Sequence, residues 1–448
     1  MLINKVLKFI HKYTGTIYEN SFILQNLDNA IFITILSTFV VSTFLSSDYI
    51  GYFALIASVL TFVRILVVPE DKLKVEKFEL FLLAYFMLIL VSVAGSSLLY
   101  LSIKGFSKTF IYLSFYLAVV HHLKYHKNHI LPILLTIAGC LTFESIVGIG
   151  QNFAKVDEIS GWQDMSNLNP EEVITRVYGT LLPLNPNLLG GYFILTIPSL
   201  MGLCGYYLNE RKFIPSILFG VLSLLSCSVL FLTGCRGAYI ALFIMLVSAF
   251  LIALKVFWHK FKKRFITFSS VVAGVGIFLL MTITPLRVRV FSIFAMRSDS
   301  SNSFRFNVYK SAIQMFKDNW VIGIGQGNQN FREIYGLYMK TGFDALSAYN
   351  IYLETAVESG IFALIAFVGM FVCLIYDAIK VIINTNDIKK LIIISIPLLS
   401  IIGTMVHGMV DTVFFRPQLQ IVFWTMCAIL SNSLYPSIGV ADGLNGSK

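Results

Sequence analysis

The chain has 448 residues, of which 57% are hydrophobic and only 13% charged, and its 34 Lys and Arg against 24 Asp and Glu give a formal net charge of +10. Soluble domains carry roughly 25% charged residues, so a chain this long and this poor in charge excludes a water-soluble globular protein. Its apolar runs are long and unbroken rather than alternating, which excludes a membrane β-barrel and leaves an all-α polytopic membrane protein.

In chain order, residues 1–28 are mildly basic and lack a compact apolar core with a small-residue cleavage site. They are expected to form a cytoplasmic N-terminal segment, with the first span acting as the insertion signal. Apolar runs of spanning length follow near 29–46, 49–69, 78–100, 107–122, 128–150, 187–208, 213–233, 236–256, 265–285, 353–381, 391–410 and 418–436. They predict about twelve transmembrane helices, the fourth run being the shortest. Residues 29–436 thus read as a single transmembrane domain, and 437–448 as a cytoplasmic C-terminal tail. Two long polar segments, 151–186 and 286–350, interrupt the runs and are expected to form a cap on one side.

Basic residues set the orientation, because short cytoplasmic loops retain Lys and Arg. Lys5, Lys8, Lys12, Lys72, Lys74, Lys77, Lys124, Lys127, Arg211, Lys212, Lys255, Lys260, Lys262, Lys263, Arg264, Lys380, Lys389, Lys390 and Lys448 fall on one side. The short loops of the other side hold only Lys104, Lys108, Arg236 and Arg416. Both termini are therefore expected inside, and both long segments outside, beyond the reach of ATP. No nucleic-acid partner is expected. The six cysteines lie in or beside apolar runs without Cys-x-x-Cys spacing, so neither a disulfide framework nor a zinc site is expected.

In the second long segment Phe306, Tyr309, Ile313, Phe316 and Trp320 recur at helical spacing, with Ser301 or Asn302 placed to cap the start. Two readings stay open: an amphipathic helix on the outer membrane surface, and a small packed helix within the cap. Gly323-Ile324-Gly325-Gln326-Gly327 lacks the strand and helix context of a nucleotide loop and reads as a glycine-rich turn.

Charges on the sparsely charged outer side are the informative ones. Arg236, in Thr233-Gly234-Cys235-Arg236-Gly237-Ala238, opens a span between glycines. Its guanidinium suits a phosphate or diphosphate held at a helix N-terminus, and also suits a simple anchor of the helix end. Arg176 precedes the turn signal Asn185-Pro186-Asn187 and Gly190-Gly191, so it belongs to an outer loop folded back over a helix start. It is either a ligand-binding group or an ordinary loop charge. Glu354 and Glu358 share one helical face at a span entrance, where a carboxylate needs a polar cavity or a cationic partner. They are candidates for a general base or for structural pairing with Arg176, Arg236 or Arg416. Glu144, His407 and Asp411 carry the same ambiguity, and His407 has no second ligand spaced to make a metal site with it.

These residues resemble the O-antigen ligase and polymerase superfamily. Thr233 to Ala238 is similar to its Ser-Arg-Gly-Ala motif. Arg176 with Tyr178-Gly179 and Asn185-Pro186-Asn187 resembles its arginine-bearing outer loop. Gly323-Ile324-Gly325 with Phe331, Asn350, Leu353, Glu358 and Gly360 resembles the end of its large loop. The resemblance implies a metal-independent, inverting membrane glycosyltransferase of the bacterial plasma membrane that needs no cofactor. Such an enzyme moves a saccharide from an undecaprenyl-diphosphate carrier to a saccharide or lipid acceptor. Carried over, Arg176 and Arg236 would be catalytic and hold the diphosphate, with Asn187, Asn350 and Arg416 as further binding residues. The ligases carry a His where this chain has Tyr349, and a phenol near pKa 10 is a poor base at neutral pH. Tyr349 itself, Glu354 or Asp344 would then serve the acceptor. Leu346-Ser347-Ala348-Tyr349, Leu353-Glu354, His407-Gly408 and 411–417 also resemble the superfamily branch assigned to bicarbonate transport. Small-anion transport and a non-catalytic assembly role are therefore the alternatives.

Overall fold

The structure, a computed structural model, describes residues 2–68, 76–154, 176–294 and 300–435. Most of the first long loop (155–175), the 69–75 connection, residues 295–299 and the tail from 436 to 448 lie outside the described residues.

All regular secondary structure among the described residues is helical. Two N-terminal helices, α1 (Leu2–Asn20) and the short α2 (Phe22–Gln25), precede α3 (Leu27–Phe44), α4 (Ser47–Val67), α5 (Lys77–Ala94), α6 (Leu99–Tyr125) and α7 (Ile130–Ala154). After the first long loop come α8 (Pro186–Asn209), α9 (Phe213–Leu232) and α10 (Arg236–Thr282). The second long segment holds α11 (Thr284–Phe291), α12 (Ser300–Asp318) and α13 (Asn328–Tyr335). The chain ends with α14 (Ile351–Asn384), α15 (Ile388–His407) and α16 (Pro417–Leu434).

Helix starts follow local rules. Asn185 caps α8 by accepting from the Asn187 N–H at 2.8 Å, with Pro186 in the first turn. Asn350 caps α14, accepting from the Tyr352 and Leu353 N–H groups, both at 2.9 Å. Asp387 caps α15, and Glu76 with Glu79 form a capping box at α5.

Among the described residues, eleven helical stretches are long and apolar enough to cross a membrane. The remaining expected span, 418–436, is the helix α16, which carries Gln418, Gln420, Thr425, Ser431, Asn432 and Ser433. Residues 417–431 are buried without a break, in contact with α3, α4, α6, α8, α14 and α15. A central helix shielded from lipid by its neighbours can carry polar groups, provided they pair internally. Here Trp424 Nε1 donates to Gln420 Oε1 at 2.7 Å, Gln420 Nε2 to the Phe414 carbonyl at 2.8 Å, and Ser431 Oγ to Glu79 Oε1 at 3.0 Å.

Two long helical runs are not straight rods. The 47 residues of α10 would extend ~70 Å if straight. Yet the rings of Phe250 and Phe265 stack 5.5 Å apart, where a straight helix would separate them by ~22 Å along its axis. Arg289 beyond its end also donates to the Gly234 carbonyl before its start, at 3.0 Å. The run therefore doubles back, and its two spanning stretches, Arg236–Trp258 and Lys262–Thr282, are the two expected from the sequence. In α14, Gly360 takes φ 78°, breaking the helix so that Tyr352 and Phe367 come within 6.4 Å. The 351–359 piece consequently folds against the spanning piece that follows it.

The second long segment packs as a cap with its own core: Val308, Ala312, Met315, Ile324, Phe331, Tyr335, Ala345, Ala348 and Val357. Of the two readings of α12, packing within a cap is the observed one, but on a different face. Val308, Ala312 and Met315 are buried, whereas Phe306, Ile313 and Trp320 remain 36%, 44% and 51% exposed. Bulk drew attention to the large side chains, while close packing takes the small ones.

The glycine-rich turn clasps this cap to the bundle. Ile324 and Gly325 N–H groups donate to the Val357 and Glu358 carbonyls at 3.0 Å, Ser96 Oγ donates to the Ile324 carbonyl at 2.8 Å, and Gln326 N–H donates to Ser102 Oγ at 2.8 Å. Gly325 has φ 101°, and a Cβ there would collide with the side chains of Ser96 and Ser102. Gly325→Ala is therefore expected to destabilise the protein by about 1–3 kcal/mol, read as a lowered Tm of detergent-purified protein. An unchanged Tm would show that the clasp does not hold the cap.

Candidate active site

The site forms where α8, α10 and α16 begin and α9 and α15 end, beneath the cap. The chain returning from the first long loop is pinned first. Gln151 Oε1 accepts from the Tyr178 and Gly179 N–H groups at 3.0 and 2.9 Å, and Glu144 Oε2 accepts from the Thr180 N–H at 3.0 Å. Glu144 is thus a loop anchor. The anchoring brings Arg176 onto the Thr233-Gly234 turn, as the folded-back loop predicts. Its Nε donates to the Thr233 carbonyl at 3.0 Å and its Nη2 to Asn187 Oδ1 at 2.8 Å. Gly234 has φ 63°, and a Cβ there would sit 3.0 Å from Arg176 Nε, so the turn needs glycine both for its backbone and for the arginine packed over it.

Arg236, the first residue of α10, reaches Ser292, with Nη1 3.3 Å from Oγ and 3.4 Å from the carbonyl. Arg289, on α11, binds the Gly234 carbonyl next to the one that Arg176 holds. Arginines from three separate segments thereby meet at one turn. A fourth, Arg305 on α12, joins through a relay. Asn187 Nδ2 donates to Asp411 Oδ2 at 3.1 Å, and Arg305 Nη2 lies 3.3 Å from the same oxygen. Asp411 Oδ1 accepts from the Thr412 and Val413 N–H groups at 2.7 and 3.1 Å. Both oxygens of this buried carboxylate are therefore occupied. Four guanidiniums against the Asp411 carboxylate and the buried Glu354 leave the site cationic, which suits a polyanionic ligand.

The Arg305 guanidinium lies over the Tyr349 ring at 5.5 Å. Tyr349 has φ 50°, unusual for a bulky residue. Burial, and next the Asp411 carboxylate, push its phenol above the ordinary value, so it stays protonated at neutral pH. It can bind a hydroxyl, but its deprotonated form is scarcer at neutral pH than that of free tyrosine. Asn350 caps α14 and reaches the Met409 carbonyl at 2.8 Å, so its amide joins the cap to the α15–α16 connection. Glu354 is buried and accepts from the Ala348 N–H at 3.0 Å, and Glu358 from the Gly327 N–H at 3.0 Å. Arg416 opens α16 within electrostatic reach of Glu354. Asp344 is exposed and paired with Arg332 at 2.6 Å. His407 is buried with Nε2 3.5 Å from Cys235 Sγ, packed against Gly191 and Gly237.

The structure thus gathers Arg176, Arg236 and Asn187 at one place, with Tyr349, Asn350 and Glu354 beside it on the cap side. Arg289 was missed by the sequence reading. The available signal was a basic pair, Arg287-Val288-Arg289, directly after a span end. Nothing in the sequence pairs Arg305 with Asp411, 106 positions away.

No curated protein matches the chain. The family model described as O-antigen ligase matches residues 221–368, a stretch that includes Arg236, Arg289, Arg305, Tyr349, Asn350 and Glu354. Arg176, Asn187 and Asp411 lie outside the match but are hydrogen-bonded or ion-paired into the same site. Over that stretch, about a third of its length, this all-α polytopic membrane protein is similar to the O-antigen ligase family.

Proposed function

We propose that the protein transfers a saccharide from an undecaprenyl-diphosphate carrier to a saccharide or lipid acceptor at the outer leaflet of the bacterial plasma membrane, with both termini cytoplasmic. The observation that carries this reading is the convergence of Arg176, Arg236 and Arg289 at the Thr233-Gly234 turn. In the transfer the acceptor oxygen attacks the anomeric carbon, the carbon–oxygen bond to the diphosphate breaks, and the diphosphate leaves with the bonding pair. The arginines bind the diphosphate and stabilise the charge it gains, an electrostatic contribution that grows as the bond breaks. Attack from the face opposite the leaving group inverts the anomeric centre.

The acceptor proton needs a base. The acidic groups felt by Tyr349 are Asp411, Glu354 and Asp344. Asp411 has both oxygens occupied and Asp344 is held outside by Arg332, which leaves Glu354 as the base, with Tyr349 orienting the acceptor hydroxyl. Asn350 and Arg416 line the acceptor side in this reading.

Deleting the gene and analysing the surface glycans tests the function directly, because transfer predicts loss or shortening of a polymer. Unchanged glycans would sink the reading and turn attention to small-anion uptake. Tyr349→Phe is expected to lower transfer by about tenfold with the fold intact, and Tyr349→His to retain activity, since imidazole offers a base near neutrality and tolerates the positive φ better. Equal activity of Tyr349→Phe and the parent protein would remove the phenol from the mechanism.

A further inference from the structure

At the opposite end of the bundle a histidine cluster takes no part in the proposed chemistry. The helix α3 starts there and ends at the arginine face, where its Thr43 carbonyl accepts from Thr180 Oγ1 at 2.8 Å. The end of α6 and the turn after it supply His121, His122, His126 and His129, α4 supplies Arg64, and α3 supplies Asp28. From Asp28, His122 and His126, one ligand atom each lies within 4.8 Å of the others.

The geometry points to a divalent transition-metal site, of zinc type, made by Asp28, His122 and His126. Two unsatisfied nitrogens support it. His122 is 1% exposed, and its Nδ1 has no hydrogen-bond partner. His126 Nε2 is likewise buried and has no hydrogen-bond partner, facing Asp28 Oδ2 at 3.4 Å. A buried ring nitrogen without a partner is costly, and a cation is one group that satisfies two at once. Zinc holds its ligands at about 2.0–2.2 Å in a tetrahedron, which places ligand atoms roughly 3.3–3.6 Å apart. The Asp28–His126 pair already has that separation.

The surroundings fix the ligands as metal sites require. His122 Nε2 is 2.9 Å from His129 Nδ1. With Nε2 as the donor, His122 carries its proton there and leaves Nδ1 with a free lone pair. His129 is held in turn by stacking on Phe32 at 3.9 Å. Arg64 holds the Asp28 carboxylate, and its Nη1 is 3.1 Å from His121 Nε2, so His121 is engaged elsewhere and is not a ligand. Two histidines and one carboxylate leave the fourth position for water. The positive charge of Arg64 opposes the cation and lowers its affinity for the site.

The test uses the full chain purified in detergent without a polyhistidine tag, stripped with chelator, then dialysed against zinc chloride. The expected result is roughly one zinc per chain by elemental analysis, with affinity lowered at least tenfold in Asp28→Asn and in His126→Gln. Asp28→Asn keeps an acceptor for Arg64 and so guards against simple misfolding. Cobalt(II) in the parent protein should give the intense visible bands of tetrahedral coordination. No zinc uptake, equal uptake by both variants, or an octahedral cobalt spectrum would each overturn the proposal. The readout is metal binding alone, so it stands or falls independently of saccharide transfer.

Discussion

Arg236→Ala is expected to lower saccharide transfer by about 10²–10³-fold, equivalent to ~2.7–4 kcal/mol of transition-state stabilisation. The guanidinium sits at the first residue of α10, next to the turn held by Arg176 and Arg289. Its charge is useful chiefly when the diphosphate departs, so the loss should fall on kcat more than on KM. Arg236→Lys should recover only part of the rate, because an ammonium keeps the charge but not the planar fork that grips two phosphate oxygens. Arg289→Ala should show a similar defect. The double variant should lose less than the product of the two, since both groups act on one diphosphate. Purified protein, a lipid-linked saccharide and an acceptor suffice for the measurement. A rate within about threefold of the parent protein for both single variants would end the diphosphate reading.

Asp411→Ala is expected to be the most destabilising single change at the site, by about 3–5 kcal/mol. The carboxylate is buried and accepts from the Asn187 amide, Arg305 and two backbone N–H groups. Its removal strands all of them, and the half-buried Arg305, left without its carboxylate, is the largest part of the cost. Asp411→Asn keeps the shape and one accepting oxygen, so it should fall between the two. Thermal unfolding in detergent would show the order, and a Tm for Asp411→Ala equal to that of the parent would rule out an organising role. Because Asn187 also binds Arg176, loss of Asp411 should loosen the diphosphate side as well, and transfer should fall together with stability.

The two residues show how differently such features present themselves in a sequence. Arg236 was legible because charge is scarce on that side and because it stands between glycines at a span start. Asp411 was visible only as an ambiguous carboxylate, since its partners lie 224 and 106 positions away along the chain. Arg289 escaped notice because it follows a span that folds back on its predecessor, and only that reversal brings it to Gly234. The amphipathic stripe of α12 was read by bulk, whereas the cap core selected Val308, Ala312 and Met315.

What the sequence determined by itself are the quantities that depend on local length and composition. Apolar runs long enough for a bilayer become helices because the backbone must satisfy itself within each run. Asn185, Asn350 and Asp387 start three of them through caps that act over two or three residues. The turn of Thr233-Gly234 and the arginine after it follow from the same local rules. Only the tertiary structure decided which helix is central, which face of α12 is buried, and which four arginines share a site. It also brought Asp28 to the histidines of α6. Each of these is a choice among packings of helices that look alike from outside, settled by side chains far apart in sequence whose pairing has no local signature.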